Sequence, residues 1–361
     1  MVRLAGAGRR GIAAAVLCAL LGAALAGCAS VGAEADAAAA VGADLGAEPG
    51  IAEAEEAVLM EVVDILVPGP AADQAAGRDP GVPNRIGSAQ VPVRLYEPAS
   101  EAWATLVWAH GGSFVRGTLD WPEADWAAQR FAEAGLRVYS VDYALAGDAV
   151  KAPAPSNDVA AVLRWAAAEH TGPLVAGGAS AGAHLAVLAT LVQAQAEGDA
   201  DAPVAPALRR AEALILEYPT LHRVQREDPA IAATTAGLPE QRRFSAERIA
   251  EMYALYLGEG AQGQDQAAGA PAVAIVAGEL PADRLALLPP TVIVNAEFDD
   301  LRASGEQFAG QLREAGVPVV EHVQAGTVHG YLNRPEESDR ARDDARATID
   351  LFVAGLRAIL V

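Results

Sequence analysis

The chain is 361 residues long, 52% apolar, and carries a formal net charge of -21 at pH 7. That length allows one large domain or two small ones with ample core. The charge argues against nucleic acid or an anionic membrane surface as a partner, because both would repel the chain.

Arg3, Arg9 and Arg10 form a basic region ahead of an apolar run over 11–25, which is too short for a comfortable membrane span. The run ends in Leu25-Ala26-Gly27-Cys28, which resembles the lipobox of bacterial lipoproteins. The resemblance implies cleavage of a signal peptide over 1–27, lipid attachment to the sulfur of Cys28, and an extracytoplasmic protein anchored to the bacterial cell membrane. The run from Gly6 to Gly11 fits the dinucleotide pattern G-x-G-x-x-G, but no strand precedes it and it lies within the signal. Cys18 leaves with the signal, so Cys28 alone remains, and no intramolecular disulfide, cysteine nucleophile or cysteine metal site is possible. Residues 28–56 are alanine, glycine and acid with almost no large side chain. They read as a flexible tether spanning roughly 25–30 Å.

The folded domain is expected over 57–361. Helical periodicity over 54–67 predicts an N-terminal helix, followed by a Pro/Gly-rich connector over 68–83. From there strands and helices alternate. Strands are expected at 91–96, 104–109, 137–141, 174–177, 213–218, 291–295 and 319–324, with helices at 122–134, 157–169, 181–195 and 304–315. This alternation predicts an α/β fold with a mostly parallel central sheet and helices on both faces. Residues 221–288 interrupt it with a partly helical insertion, including a helix over 245–257 capped by Ser245, and read as a cap over the site.

Gly178-Ala179-Ser180-Ala181-Gly182 lies between the strand at 174–177 and the helix at 181–195. It satisfies G-x-S-x-G, the nucleophile elbow in which a serine sits on a strained strand-to-helix turn. The helix that starts there aims its positive dipole end at the serine oxygen. A serine nucleophile needs a base, an acid to orient the base, and donors for the oxyanion. His329, on a loop past the last strand in Gly326-Thr327-Val328-His329-Gly330-Tyr331, is better placed as the base than His322 within that strand. His184, one turn after Ser180, reads as a buried structural residue. Glu297, Asp299 and Asp300 all follow the strand at 291–295, and spacing alone does not separate them. Ser304-Gly305-Glu306-Gln307 fits a capping box, with Asp300 or Ser304 as the helix cap. Trp108-Ala109-His110-Gly111-Gly112-Ser113-Phe114 ends a strand in a glycine turn, placing the amides of Gly111 and Gly112, with that of Ala181, as oxyanion donors.

From residue 91 onward the chain resembles the hormone-sensitive-lipase-like carboxylesterases of the α/β-hydrolase fold. The resemblance rests on Val93-Arg94-Leu95-Tyr96-Glu97-Pro98, the His110-Gly111-Gly112 loop, Val141-Asp142-Tyr143, Asn157-Asp158, Ala179-Ser180-Ala181-Gly182, Ala296 to Arg302 and His329-Gly330-Tyr331. It implies that Asp299 is the triad acid and that His110 is structural, lying behind the reacting groups. It implies a serine esterase working on small or medium-chain esters through an acyl-enzyme, with no cofactor or metal and a small-molecule ester as its partner. Ala179 stands where the family has an acid, Ser113 replaces the third loop glycine, and Ala144 replaces an arginine. These departures leave the subfamily and its substrate open. An amidase, peptidase or lipase on the same fold, or a silent surface-binding protein, are the alternatives.

Overall fold

A computed structural model describes residues 60–72, 83–196, 209–258 and 276–361. The signal over 1–27, Cys28 and the tether over 28–56 lie outside these residues.

Among the described residues eight strands form one sheet: β1 Glu61–Pro68, β2 Gln90–Glu97, β3 Ala104–Ala109, β4 Leu136–Val141, β5 Leu174–Ala179, β6 Ala213–Glu217, β7 Thr291–Phe298 and β8 Val319–Val328, in the order β1-β2-β4-β3-β5-β6-β7-β8. β2 pairs antiparallel with β1 and β4, and every other pairing is parallel. β3, β5 and β6 are buried along their whole length, as expected of parallel strands covered on both sides.

Chain direction decides which helix covers which face. The crossover from β3 to β4 contains α1 (Asp125–Glu133) and moves toward β1. The crossovers containing α2 (Ala154–Glu169), α3 (Ala181–Ala196) and, further on, α7 (Arg302–Glu314) move toward β8. Because such crossovers are right-handed, α1 lies on one face and the other three on the opposite face. The long helix α8 (Asp339–Leu360) joins α1, with the Phe131 and Phe352 rings 6.3 Å apart. The reversal of direction falls between β3 and β5, where open α/β sheets place their ligands beyond the carboxyl ends of the strands.

Two expectations are corrected, and one helix is added. The segment from Glu61 is an edge strand paired with β2 from Glu61↔Glu97 to Pro68↔Gln90, not a helix. The capping box does not form: α7 begins after Leu301, and the Ser304 hydroxyl instead accepts the amides of Leu221 and His222. The 22-residue helix α8, with Ser338 accepting the Ala341 amide as its cap, follows the last expected strand.

The insertion between β6 and β7 holds α4 (Pro229–Thr235), α5 (Ala246–Leu257) and α6 (Ala282–Leu285) among the described residues. Ser245 caps α5 by accepting the Arg248 amide. Ile249, Met252, Tyr253 and Tyr256 on one side of that helix are buried, and Tyr256 stacks on Phe114 of the glycine loop with ring centres 4.1 Å apart.

Candidate active site

β5 delivers Ser180 to the sheet's carboxyl edge. Its φ of 52° lies in the left-handed region, a conformation costing about 1–2 kcal/mol for a residue with a Cβ. The turn is held by the Ser180 amide, which donates to the Glu217 carbonyl at 2.9 Å. It also needs glycine behind it. A Cβ on Gly182 would lie 2.0 Å from the Ala109 carbonyl oxygen, so only a hydrogen lets α3 pass the end of β3. The second glycine of the pattern is thus a packing requirement.

The Ser180 hydroxyl lies 3.0 Å from His329 Nε2, and His329 Nδ1 lies 2.7 Å from Asp299 Oδ2. A carboxylate can only accept, so Nδ1 carries the proton and Nε2 presents its lone pair to the serine. Asp299 is fully buried, and its other oxygen accepts the Leu301 amide at 3.0 Å. Tyr218 and Phe244 flank the imidazole, with ring centres at 4.8 and 4.6 Å.

Asp300 turns away from this chain of bonds. Its carboxylate accepts the Thr235 hydroxyl at 2.6 Å, Arg243 Nε at 2.8 Å and the Phe244 amide at 2.7 Å. Burial raises its pKa, but these three donors outweigh that and leave it below the usual carboxylate value. Glu297 faces the Gly326 amide at the β8 end. The three acids that spacing left open therefore point three ways.

The glycine loop departs from expectation at one donor. The Gly111 amide donates to Glu123 Oε2 at 2.5 Å, so it is not available to an oxyanion. The amides of Gly112, Ser113 and Ala181 have no acceptor among the described residues. Of the expected donors, Gly112 and Ala181 therefore have free amides and Gly111 does not, while the adjacent Ser113 amide is also free. Gly112 adopts φ of 115°, with the Arg116 carbonyl where a Cβ would be. Ser113 and Phe114 continue the turn at φ of 57° and 67°.

His110 sits behind the loop, fully buried, stacked on Tyr143 and bonded through Nδ1 to the Gly111 carbonyl at 2.7 Å. Burial lowers its pKa, which keeps it neutral. Tyr143 donates to the His110 carbonyl at 2.8 Å. His184 is enclosed by Phe114, Tyr253 and Tyr256, and His322 remains in β8 opposite Val294.

A cavity of about 570 Å³ opens in front of Ser180 and His329, within the size range of small-molecule sites. The glycine loop, the Trp121–Glu123 turn, the insertion residues Gln241, Arg242, Phe244 and Arg248, and Asn333 and Arg334 line it. Glu123 and the insertion's contributions carry no local sequence signal, since each reaches the site through tertiary packing. Among the described residues no group of three or more His, Cys, Asp or Glu is placed to hold a metal ion.

The family model described as alpha/beta hydrolase fold matches residues 106–333. The chain belongs to the α/β-hydrolase fold family. It is 30% identical over 285 residues to the carboxylic ester hydrolase LipN of Mycobacterium tuberculosis, covering 76% of this chain and 65% of that protein. The chain therefore spans somewhat under two thirds of that relative. It is 31% identical over 280 residues to the esterase LipI of the same organism, covering 76% of this chain and 75% of LipI. Carboxyl esterase 2 of the mycorrhizal fungus Tuber melanosporum shares the fold at a TM-score of 0.64, with 22% identity over 85% of this chain and 90% of that one. The glycine loop, Ser180, Asp299 and His329 lie at the carboxyl ends of β3, β5, β7 and β8 respectively.

Proposed function

We propose that the protein is a serine carboxylesterase in which Ser180 is the nucleophile, His329 the base and Asp299 the residue that orients it. The observation that carries this is the continuous hydrogen-bonded line from Asp299 through His329 to Ser180, ending at a cavity beside unpaired amides. Esterase names on relatives such as LipN and LipI support the choice of an ester bond.

In this reading Ser180 Oγ attacks the ester carbonyl as its proton passes to His329 Nε2. The developing oxyanion is held by the amides of Gly112, Ser113 and Ala181, each worth about 3 kcal/mol where such a donor acts in the transition state. Asp299 stabilises the imidazolium that results. His329 then protonates the leaving alcohol, and a water molecule takes the same path to release the acid. A cavity of about 570 Å³ suits short to medium acyl chains.

The test is hydrolysis of p-nitrophenyl esters from acetate to decanoate by the full-length protein beside Ser180→Ala. The variant should lose about 10⁴-fold or more in kcat. Undiminished turnover in that variant ends the proposal, and wild-type cleavage of amides in preference to esters replaces it with an amidase.

The proposal extends to location: an extracytoplasmic enzyme lipid-anchored through Cys28, supported by the Leu25-Ala26-Gly27-Cys28 sequence. Membrane-fraction recovery of the wild type, lost in Cys28→Ser, is the expected result.

A further inference from the structure

Resting on the carboxylesterase reading, a second feature of the same cavity narrows its substrates. Arg116, Arg242, Arg248 and Arg334 border the space in front of Ser180, against one carboxylate, Glu123. The Glu123 oxygens are already engaged by the Gly111 amide and the Tyr218 hydroxyl. In a chain of net charge -21, four guanidinium groups around one opening run against the overall field.

These four cations share a single carboxylate partner, Glu337, which reaches only Arg334 and Arg242. Arg116 is exposed, and its guanidinium makes no hydrogen bond or ion pair among the described residues. Arg334 has its Nε 3.4 Å from the exposed Glu337, yet its Nη1 is buried with no hydrogen-bond partner. Arg242 reaches that same Glu337 only at 4.0 Å. Arg248 donates to the carbonyl oxygens of Gln241 and Arg243, which offset no charge. Its guanidinium lies 4.5 Å from the Phe244 ring, and that ring meets the His329 imidazole at 4.6 Å. The cationic rim is therefore one aromatic ring removed from the reacting histidine.

Leaving several guanidinium groups short of carboxylates beside a reaction centre favours an anion with planar, two-oxygen geometry. We infer that the enzyme takes esters that carry a carboxylate a few carbons from the scissile bond. The anion would sit against Arg116 and Arg334, with Arg242 and Arg248 adding to the local positive field.

Four esters test this on the full-length protein. Ethyl hydrogen glutarate carries the carboxylate on the acyl side, and ethyl 5-methylhexanoate is its neutral isostere. The second pair is 4-acetoxybutanoate, with the carboxylate on the alcohol side, and 4-methylpentyl acetate. In at least one pair the anion should show kcat/KM about tenfold or more above its isostere at low salt. The advantage should shrink as sodium chloride screens the charges. The ratio within that pair should fall about tenfold in the Arg116→Gln/Arg334→Gln variant, and a ratio is insensitive to any loss of folded enzyme. Anions that match or trail their isosteres, while the isosteres are cleaved in a Ser180-dependent way, overturn this inference and leave the esterase reading standing. An anionic advantage that survives in the double variant also overturns it. Cleavage of none of the four overturns this inference alone if p-nitrophenyl acetate is still cleaved in a Ser180-dependent way, and both readings if it is not.

Discussion

Glu123 Oε2 accepts the amide of Gly111 at 2.5 Å, and the other oxygen of the same carboxylate accepts the Tyr218 hydroxyl at 2.5 Å. One side chain thus ties the loop after β3 to the residue that follows β6, across the end of β5 where Ser180 sits. Its backbone is fixed as well, since its amide donates to Asn333 Oδ1 and its carbonyl accepts Trp108 Nε1. Removing the carboxylate in Glu123→Ala leaves a buried N–H without a partner, a cost of about 1–3 kcal/mol. It also frees the turn that aims the Gly112 and Ser113 amides. We expect kcat on a p-nitrophenyl ester to fall about 10- to 100-fold with a smaller change in KM, because the donors act on the transition state. A folded variant with wild-type kcat would show that the loop holds its shape without Glu123.

The adjacent acids Asp299 and Asp300 should fail differently when altered. In Asp299→Asn the Leu301 amide holds the remaining oxygen and the new NH2 faces His329 Nδ1, which selects the wrong tautomer, so kcat should drop about 10⁴-fold with KM little affected. Asp300→Asn loosens Thr235, Arg243 and the Phe244 amide. Since Phe244 and its neighbours form one wall of the cavity, the larger effect should be a rise in KM, with modest loss of kcat. Steady-state kinetics on both variants separate the two roles. Equal losses of kcat would refute the division.

The parts of the fold written in continuous local patterns were legible. β3 runs from Ala104 to Ala109 as expected because all six residues are apolar or small and buried, and α3 follows the elbow directly. β1 was not legible. Its residues are mostly exposed, and only pairing with β2 makes them a strand, an interaction absent from their own spacing. Ser304 looked like a helix cap because its neighbours fit the motif, but the Leu221 and His222 amides hold its hydroxyl from 82 or more residues away. The same holds at the site. Ser180 and His329 sit in local motifs, whereas the diversion of the Gly111 amide depends on Glu123, whose approach is set by the packing of the turn before α1.

Ser113 offers a test of the backbone as donor. It adopts φ of 57° where the resembled family has glycine, a strain of about 1–2 kcal/mol for a residue with a Cβ. Ser113→Gly keeps the amide and relieves the strain, though glycine's extra freedom in the unfolded chain gives back part of the gain. Activity should stay within about twofold of wild type, with equal or higher resistance to urea. Gly112→Ala should do the opposite. Its φ of 115° and the nearby Arg116 carbonyl leave no room for a methyl group, so kcat should fall by about 10²-fold or more as the loop shifts. A Gly112→Ala enzyme with full activity would remove this turn from the oxyanion site.

Glu217 links the site to stability through pH. It is fully buried at the end of β6, beside the Tyr331 hydroxyl, and its backbone carbonyl accepts the Ser180 amide. Burial pushes its pKa well above the ordinary value, opposed by Tyr331 and reinforced by the nearby Glu123 and Asp299 carboxylates. The folded state therefore holds this acid protonated at pH values where the unfolded chain ionises it. A group with its folded pKa raised contributes stability that is full below the unfolded value, about 4.3 for a glutamate, and is lost as pH rises toward the folded value. Glu217→Gln has nearly the same shape and no proton to lose. Its stability relative to wild type should rise by about 1.4 kcal/mol per pH unit above roughly 4.5, levelling off once the native carboxyl ionises. Urea unfolding of both proteins at several values from pH 4 to 8 reads this directly. A difference that stays constant with pH would mean that Glu217 ionises in the fold as it does in the unfolded chain, which overturns this reading.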